Sequence, residues 1–201
     1  MESQRSLWFL VSGPSGVGKT TLIAQMLYNY APQLLPVVTA TTREKRPGEE
    51  DGKQYFFLNQ EEFEKREKEG KFLETIERHG ARYATVKEEI KKKLEEGTDL
   101  IMHIDWQGRR HLETMARGES WLKRSIVSIF MLPESLTALK QRLEIRGRNT
   151  PEEIARRMQE AEEDLKHAQE YDYAFKSGSY DQDLQLMKAI YMAEKARACR
   201  P

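Results

Sequence analysis

Gly13-Pro14-Ser15-Gly16-Val17-Gly18-Lys19-Thr20 is the stretch of the chain whose reading decides its fold. The apolar run Leu7 to Val11 precedes it, and after it Leu22, Ile23, Met26, Leu27 and Tyr30 recur at the spacing of one helix face. Strand, glycine-rich loop and amphipathic helix in that order match the G-x-x-x-x-G-K-[ST] pattern of a phosphate-binding loop. The glycines let the backbone turn so that successive N–H groups converge on phosphate oxygens, and the helix adds the positive end of its dipole. Gly13, Pro14, Ser15, Gly16, Val17, Gly18, Lys19, Thr20 and the adjoining Thr21 are therefore the expected residues for a nucleoside triphosphate. Lys19 is placed to reach the β- and γ-phosphates, and the Thr20 hydroxyl to ligate Mg²⁺ together with those phosphates and water. A glycine-rich turn with a solvated lysine is the alternative, and the flanking strand and helix speak against it.

Outward from the loop, apolar runs of strand length alternate with longer helical patterns. This predicts an α/β fold of the P-loop NTPase type, with a parallel sheet flanked by helices. Strands are expected at Leu7 to Val11, Pro36 to Thr39, Leu100 to Ile104, Ile126 to Leu132 and Tyr173 to Phe175. Asn59 with Glu62, Thr85 with Glu88, and Thr150 with Glu153 each place a capping side chain three residues before a carboxylate, and Pro151 suits a first helical position. Gly70 and Gly97 stand where helices are expected to end. Residues from about 38 to 85 are charged, dotted with aromatics and rich in turns, and break the alternation. They are expected to form a lobe inserted into a core made of residues 1–37 and 86–201, the whole being a single domain over 1–201.

A chain of 201 residues suits one domain that buries its core without disulfides. Its 33 basic residues balance 33 acidic ones, so no global field gathers nucleic acid or an anionic membrane, and an anionic ligand has to be held locally. The expected partners are small-molecule substrates, and nothing in the chain specifies an oligomeric state. The single cysteine, Cys199, has no partner for a disulfide or zinc motif, which suits a reducing cytosol. Leu7 to Val11 is too short for a signal peptide's apolar region or a membrane span, so the expected location is the cytoplasm.

The segment from Thr39 to Tyr55 reads Thr39-Ala40-Thr41-Thr42-Arg43-Glu44-Lys45-Arg46-Pro47-Gly48-Glu49-Glu50-Asp51-Gly52-Lys53-Gln54-Tyr55, with Phe72-Leu73-Glu74 and Tyr83-Ala84-Thr85 following. It resembles the acceptor-binding stretch of guanylate kinases, T-T-R-x-x-R-x-G-E-x-D-G-x-x-Y, and the resemblance runs from the loop to Asp181 or beyond. It implies transfer of the γ-phosphoryl group of ATP to GMP and dGMP with Mg²⁺ as cofactor. It also implies that Arg43, Arg46, Tyr55 and Tyr83 hold the acceptor phosphate. Guanidinium groups form charge-assisted bidentate bonds to phosphate, and phenols add neutral donors. By the same resemblance Glu74 accepts the N1–H and N2–H donors of guanine and Thr39 stands near its O6. Thr85 is a further GMP contact, although helix capping alone also explains its hydroxyl.

Arg142-Leu143-Glu144-Ile145-Arg146-Gly147-Arg148 and Arg156-Arg157 resemble the lid of nucleoside monophosphate kinases, over about 142–157. Arg142 falls on the ATP side; Arg146 and Arg157, with Lys19 and Arg43, are the expected catalytic cations. Arginines brought in by closure stabilise the charge on the moving group and exclude water. Arg148 and Arg156 are equally explained as solvated charges, and Arg142 as a stem covering apolar surface.

Three positions depart from the family pattern. His103 replaces the first of two aspartates, and Asp105 keeps the second as an acidic GMP-binding group near the guanine or the acceptor-binding arginines; as positions two apart on a strand they are expected to face one cleft. His103 is read as a hydrogen-bonding filler that re-tunes acceptor binding, since Mg²⁺ prefers oxygen ligands. Ala84 replaces a glycine, where its methyl would crowd a close approach, and Ser177-Gly178 replaces an Asn-Asp that meets the adenosine. Two alternatives stand beside the leading one: a kinase of the same fold with another nucleotide or a phosphorylated sugar as acceptor, and a protein-binding module that has lost catalysis. The intact Gly18, Lys19 and Thr20 argue against the latter.

Overall fold

The computed structural model describes residues 5–78, 80–145, 147 and 150–197. Strand β1 (Trp8–Ser12) leads through the glycine-rich loop into α1 (Lys19–Tyr30), followed by β2 (Leu34–Pro36), β3 (Thr39–Thr41), β4 (Tyr55–Phe57), α2 (Gln60–Lys68), β5 (Phe72–Arg78) and β6 (Ala81–Val86). Then come α3 (Lys87–Glu95), β7 (Asp99–His103), α4 (Trp106–Ala116), α5 (Ser120–Ser125), β8 (Ile126–Leu132), α6 (Leu136–Ile145), α7 (Pro151–Lys166), a single 3₁₀ turn at Ala168–Glu170, β9 (Tyr173–Lys176) and α8 (Tyr180–Ala196).

Five strands form a sheet in the order β2-β7-β1-β8-β9, with every neighbouring pair parallel. β1 lies at its centre, and all five of its residues are buried. Phe9 and Val11 pack on one face with Leu22 and Met26 of α1 and Met187 and Tyr191 of α8. Trp8 and Leu10 pack on the other with Ile90 and Leu94 of α3, Leu112 of α4 and Leu122 of α5. A strand covered on both faces reads as a continuous apolar run, which is why Leu7 to Val11 shows no alternation. The chain leaves β1 toward β2 on one side of the sheet, while β8 lies on the other. The loop therefore sits at the carboxyl edge of the sheet, where the strand order reverses and a ligand crevice forms.

β3 to β6 form a second, four-stranded sheet in the order β4-β3-β6-β5, parallel between β3 and β4 and antiparallel elsewhere. Its own apolar cluster comprises Ala40, Phe63, Phe72, Ala84 and Val86. The strand expected at Pro36 to Thr39 is instead the crossing between sheets: β2 ends at Pro36 and β3 begins at Thr39. Proline has no N–H to continue a ladder, and Val37 N makes the last bond of this edge, to Ile101 O at 3.1 Å. The cap expected at Thr85 is also overturned. β6 runs on through Val86, which precedes α3 without a side-chain cap, and Thr85 is buried in the strand. Asn59 caps α2, and Thr150 and Glu153 form a capping box at the start of α7, with Pro151 at its first position. Among the described residues no helix is long and apolar enough to cross a membrane.

Buried Asp99 ties the last helix to the central strands: it accepts from Leu7 N at 2.7 Å, Tyr191 Oη at 2.7 Å and Lys195 Nζ at 3.1 Å. Removing this carboxylate leaves buried donors unpaired. Asp99→Ala is expected to lower unfolding stability by about 3 kcal/mol in a urea titration.

Candidate active site

The loop is held open by a position that only glycine fills. Gly13 has φ +137°, and a Cβ there would lie 2.4 Å from the carbonyl oxygen of Met131 at the end of β8. Lys19 folds back over the loop, donating to the carbonyls of Gly13 and Pro14, the latter at 3.0 Å. Helix α1 begins at Gly18 with no side-chain cap and no acidic residue in its first turn, in contrast to α2, α4, α7 and α8, which are all capped by side chains. Its leading N–H groups and positive dipole end are thus left to an anion. The Thr20 side chain is exposed on this first turn. Thr21 lines a cavity of about 200 Å³ with Gly18, Arg142, Ser177, Tyr180 and Asp183.

The arm of α6 and α7 reaches the loop from above. Arg142 donates to Val17 O at 3.4 Å, and Arg157 to Ser15 Oγ at 2.7 Å. Arg146 lies outside the described residues, as do Arg148 and Cys199. Arg156 points to solvent and pairs with Glu160 one turn on. Ser177 does not extend a free hydroxyl to a ligand: it is buried and donates to Asp183 at 2.6 Å, fixing the cavity wall.

On the second sheet, Thr39 and Tyr55 are direct neighbours across β3 and β4, and Tyr83 follows on β6 beside Thr41. The rings of Tyr55 and Tyr83 lie 5.8 Å apart, and the Arg43 guanidinium sits 5.4 Å from the Tyr55 ring. Arg43 Nη2 bonds both carboxylate oxygens of Glu49, at 2.8 and 2.9 Å, and Arg46 N donates to the same carboxylate. These contacts hold the Glu49 carboxyl well below its ordinary range. The Arg46 side chain is exposed. Ala84 does not crowd the cleft: its methyl is buried in the core of this sheet.

Glu74 is placed by an irregularity in β5. The register with β6 slips between Phe72 and Glu74, so that Leu73 is fully buried in the main core while Glu74 faces the first turn of α4. Burial, with the Asp105 carboxylate adding to it, pushes the Glu74 carboxyl up to about 7. Asp105 caps α4 by accepting from Gly108 N at 2.8 Å. β7 ends at His103, so strand alternation does not relate it to Asp105, which caps the following helix; both are exposed at the carboxyl end of the strand.

Sequence reading missed Asp164. On α7 it lies seven residues after Arg157 and three after buried Ala161, spacings that put all three on one face. Burial pushes its carboxyl up to about 6, with Lys19 pulling it down and Asp105 pushing it up. The amphipathic spacing from Arg157 was the available signal. Also missed was the clamp at the base of the arm, where Trp106 of α4 stacks on His167 at 3.8 Å and Arg110 and His167 share Glu170.

A phosphate loop at the carboxyl edge of a parallel sheet, a second small sheet bearing arginine and tyrosine, and an arginine-bearing arm over the loop define the class of P-loop nucleoside monophosphate kinases. A family model described as guanylate kinase matches residues 5–194, and the chain belongs to that family. It is 40% identical over 194 residues to the guanylate kinase of Hahella chejuensis, covering 96% of this chain and 89% of that one. It is 42% identical over 191 residues to that of Vibrio parahaemolyticus, covering 94% and 88%. Among solved structures, guanylate kinase from Anaplasma phagocytophilum superposes with a TM-score of 0.68 at 26% identity, covering 98% of this chain and 90% of that one.

The raised Glu74 value has a thermodynamic consequence. With a folded value of about 7 against an ordinary 4.5, the folded state binds the proton more tightly, so the stability Glu74 contributes below pH 4.5 is lost as pH rises through 7. Compared with Glu74→Gln, the unsubstituted protein is expected to lose up to about 3 kcal/mol between pH 4.5 and 8 in urea unfolding. A difference that stays constant with pH would contradict the assignment.

Proposed function

We propose that this protein transfers the γ-phosphoryl group of ATP to GMP, and likewise to dGMP, giving ADP and the corresponding diphosphate in the cytoplasm. The observation that carries this reading is the geometry of the loop: Gly13 pressed against the Met131 carbonyl, α1 starting with no side-chain cap and no acidic residue in its first turn, and Arg157 of the arm bonded to Ser15 at 2.7 Å. The electrostatic influence of Lys19 and Asp105 on Asp164, and of Asp105 on Glu74, supports a single site for donor and acceptor. Family membership supports the same reading.

In this mechanism the loop N–H groups and Lys19 hold the β- and γ-phosphates, and the cavity beside Thr21 and Arg142 takes the adenosine. Arg43, Arg46, Tyr55 and Tyr83 hold the acceptor phosphate, while Glu74 accepts from guanine N1–H and N2–H. The Thr39 hydroxyl serves O6, with Thr85 and Asp105 beside it. An oxygen of the GMP phosphate forms the new bond to the γ-phosphorus as the bond to the β–γ bridging oxygen breaks, and ADP departs. The attacking oxygen is already anionic, so no general base is needed, and positioning dominates. Arg142, Arg146 and Arg157 neutralise the charge spread over the moving group.

Mg²⁺ fits the donor set. The exposed Thr20 hydroxyl would supply an oxygen ligand at the loop, and Asp164, whose carboxyl feels Lys19, would accept from the waters around it. When bound, it draws charge from the β- and γ-phosphates. His103 at the rim favours a second reading, in which the acceptor is another nucleotide.

A panel of nucleoside monophosphates in a coupled ADP-release assay tests the assignment: GMP is expected to turn over fastest, and no turnover of GMP beside brisk turnover of another acceptor would overturn it. Lys19→Ala is expected to cut kcat by about a hundredfold or more. Because only the ionised carboxyl accepts both guanine donors, KM for GMP is expected to rise about tenfold from pH 8 to pH 6 as Glu74 takes up its proton.

A further inference from the structure

We propose that Gly108 is a specificity-determining residue: by carrying no side chain, it leaves on the first turn of α4 the seat in which the Glu74 carboxylate stands against the guanine edge. This deepens, and rests on, the reading of Glu74 as the group that accepts from guanine.

The space is explicit. A Cβ at position 108 would lie 1.9 Å from Glu74 Oε1, 2.8 Å from Glu74 Cδ and 2.9 Å from Ile104 Cδ1. The backbone itself asks for no glycine. Position 108 lies inside the helix Trp106–Ala116 and is absent from the glycines with positive φ, so alanine there would be the better helix former. The residue therefore costs local stability, and the close approach of Glu74 is what excludes a side chain there.

Neither main chain is free to retreat. Gly108 N is bonded to the Asp105 carboxylate at 2.8 Å, which pins the first turn of α4. On the other side Leu73 is fully buried in one cluster with Ile104 and Leu112, so β5 is anchored to the same helix one residue before Glu74. The slip in register between Phe72 and Glu74 brings the carboxylate over the helix. A methyl at 108 thus displaces the Glu74 side chain and leaves both main chains in place. Glu74 would then meet the 2-amino group and N1–H of guanine out of line, and a misplaced acceptor loses most of a hydrogen bond's worth.

The test is a cycle of Gly108→Ala, Glu74→Ala and the double variant, with GMP and IMP as acceptors, IMP lacking the 2-amino group. Gly108→Ala is expected to raise KM for GMP about tenfold or more and to shrink the preference for GMP over IMP. KM for ATP is expected to stay within about twofold. In the Glu74→Ala background the seat is vacated, so adding Gly108→Ala is expected to change neither KM nor preference further. If Glu74→Ala leaves GMP and IMP kinetics unchanged, the reading of Glu74 fails and this inference falls with it. If Glu74→Ala has its effect but Gly108→Ala has none, or has the same added effect in both backgrounds, the seat alone is refuted. Should Gly108→Ala fail to fold, a folded double variant supports the seat, and an unfolded one assigns the glycine to packing against Ile104 and overturns the proposal.

Discussion

Backbone N–H groups grip a polyphosphate only if the chain brings several of them to one point with no side chain in the way, and the molecule is arranged around that requirement. The turn after Ser12 presses Gly13 against the carbonyl of Met131, closer than any Cβ would allow. β1 delivers the turn to a fixed place because it is buried on both faces between neighbours in parallel register. α1 continues from the loop with its N-terminus uncapped by side chains. A tight turn without that support would fluctuate, and preorganisation of the amides is what makes them effective toward a dianionic or trianionic group.

The cations around this loop are held by partners that phosphate can replace. Lys19 rests on two loop carbonyls, Arg157 on the Ser15 hydroxyl, and Arg43 on Glu49. Lys19 and Arg157 are kept at their posts by neutral acceptors and Arg43 by a carboxylate, so side-chain ordering is largely completed before a ligand arrives. The carboxylates Glu74, Asp105 and Asp164 form the opposite pole. Burial and repulsion from Asp105 raise both Glu74 and Asp164.

Much of this was legible in the chain. The phosphate loop, the parallel core strands at Trp8–Ser12, Asp99–His103 and Ile126–Leu132, and the capping box at Thr150 all follow from local rules, because strand burial, loop geometry and capping depend on neighbours within a few residues. Thr85 shows where such rules fail. Its hydroxyl precedes a helix at capping distance from Glu88, yet pairing of β6 with β5 carries the strand one residue further, and burial in a sheet overrides a local capping preference. At Pro36 to Thr39 the apolar pattern was continuous, but the chain changes sheets within it, and hydropathy does not record which sheet a residue joins. Ala84 and Ser177 looked like altered ligand contacts and serve instead as core filler and wall support.

The sequence by itself determined the phosphate loop and the α/β class, since each is written in residues close together along the chain, while resemblance to a family pattern singled out the candidate arginines, tyrosines and Glu74. Only the tertiary structure decided that Asp164 belongs beside Lys19, that a slipped register turns Glu74 onto α4, and that Gly108 makes room for it. These relations join segments 34 to 145 positions apart, counted from 74 to 108 and from 19 to 164. No local propensity encodes such distances; they arise when burial of β1, β5 and α7 against a common core fixes their relative placement.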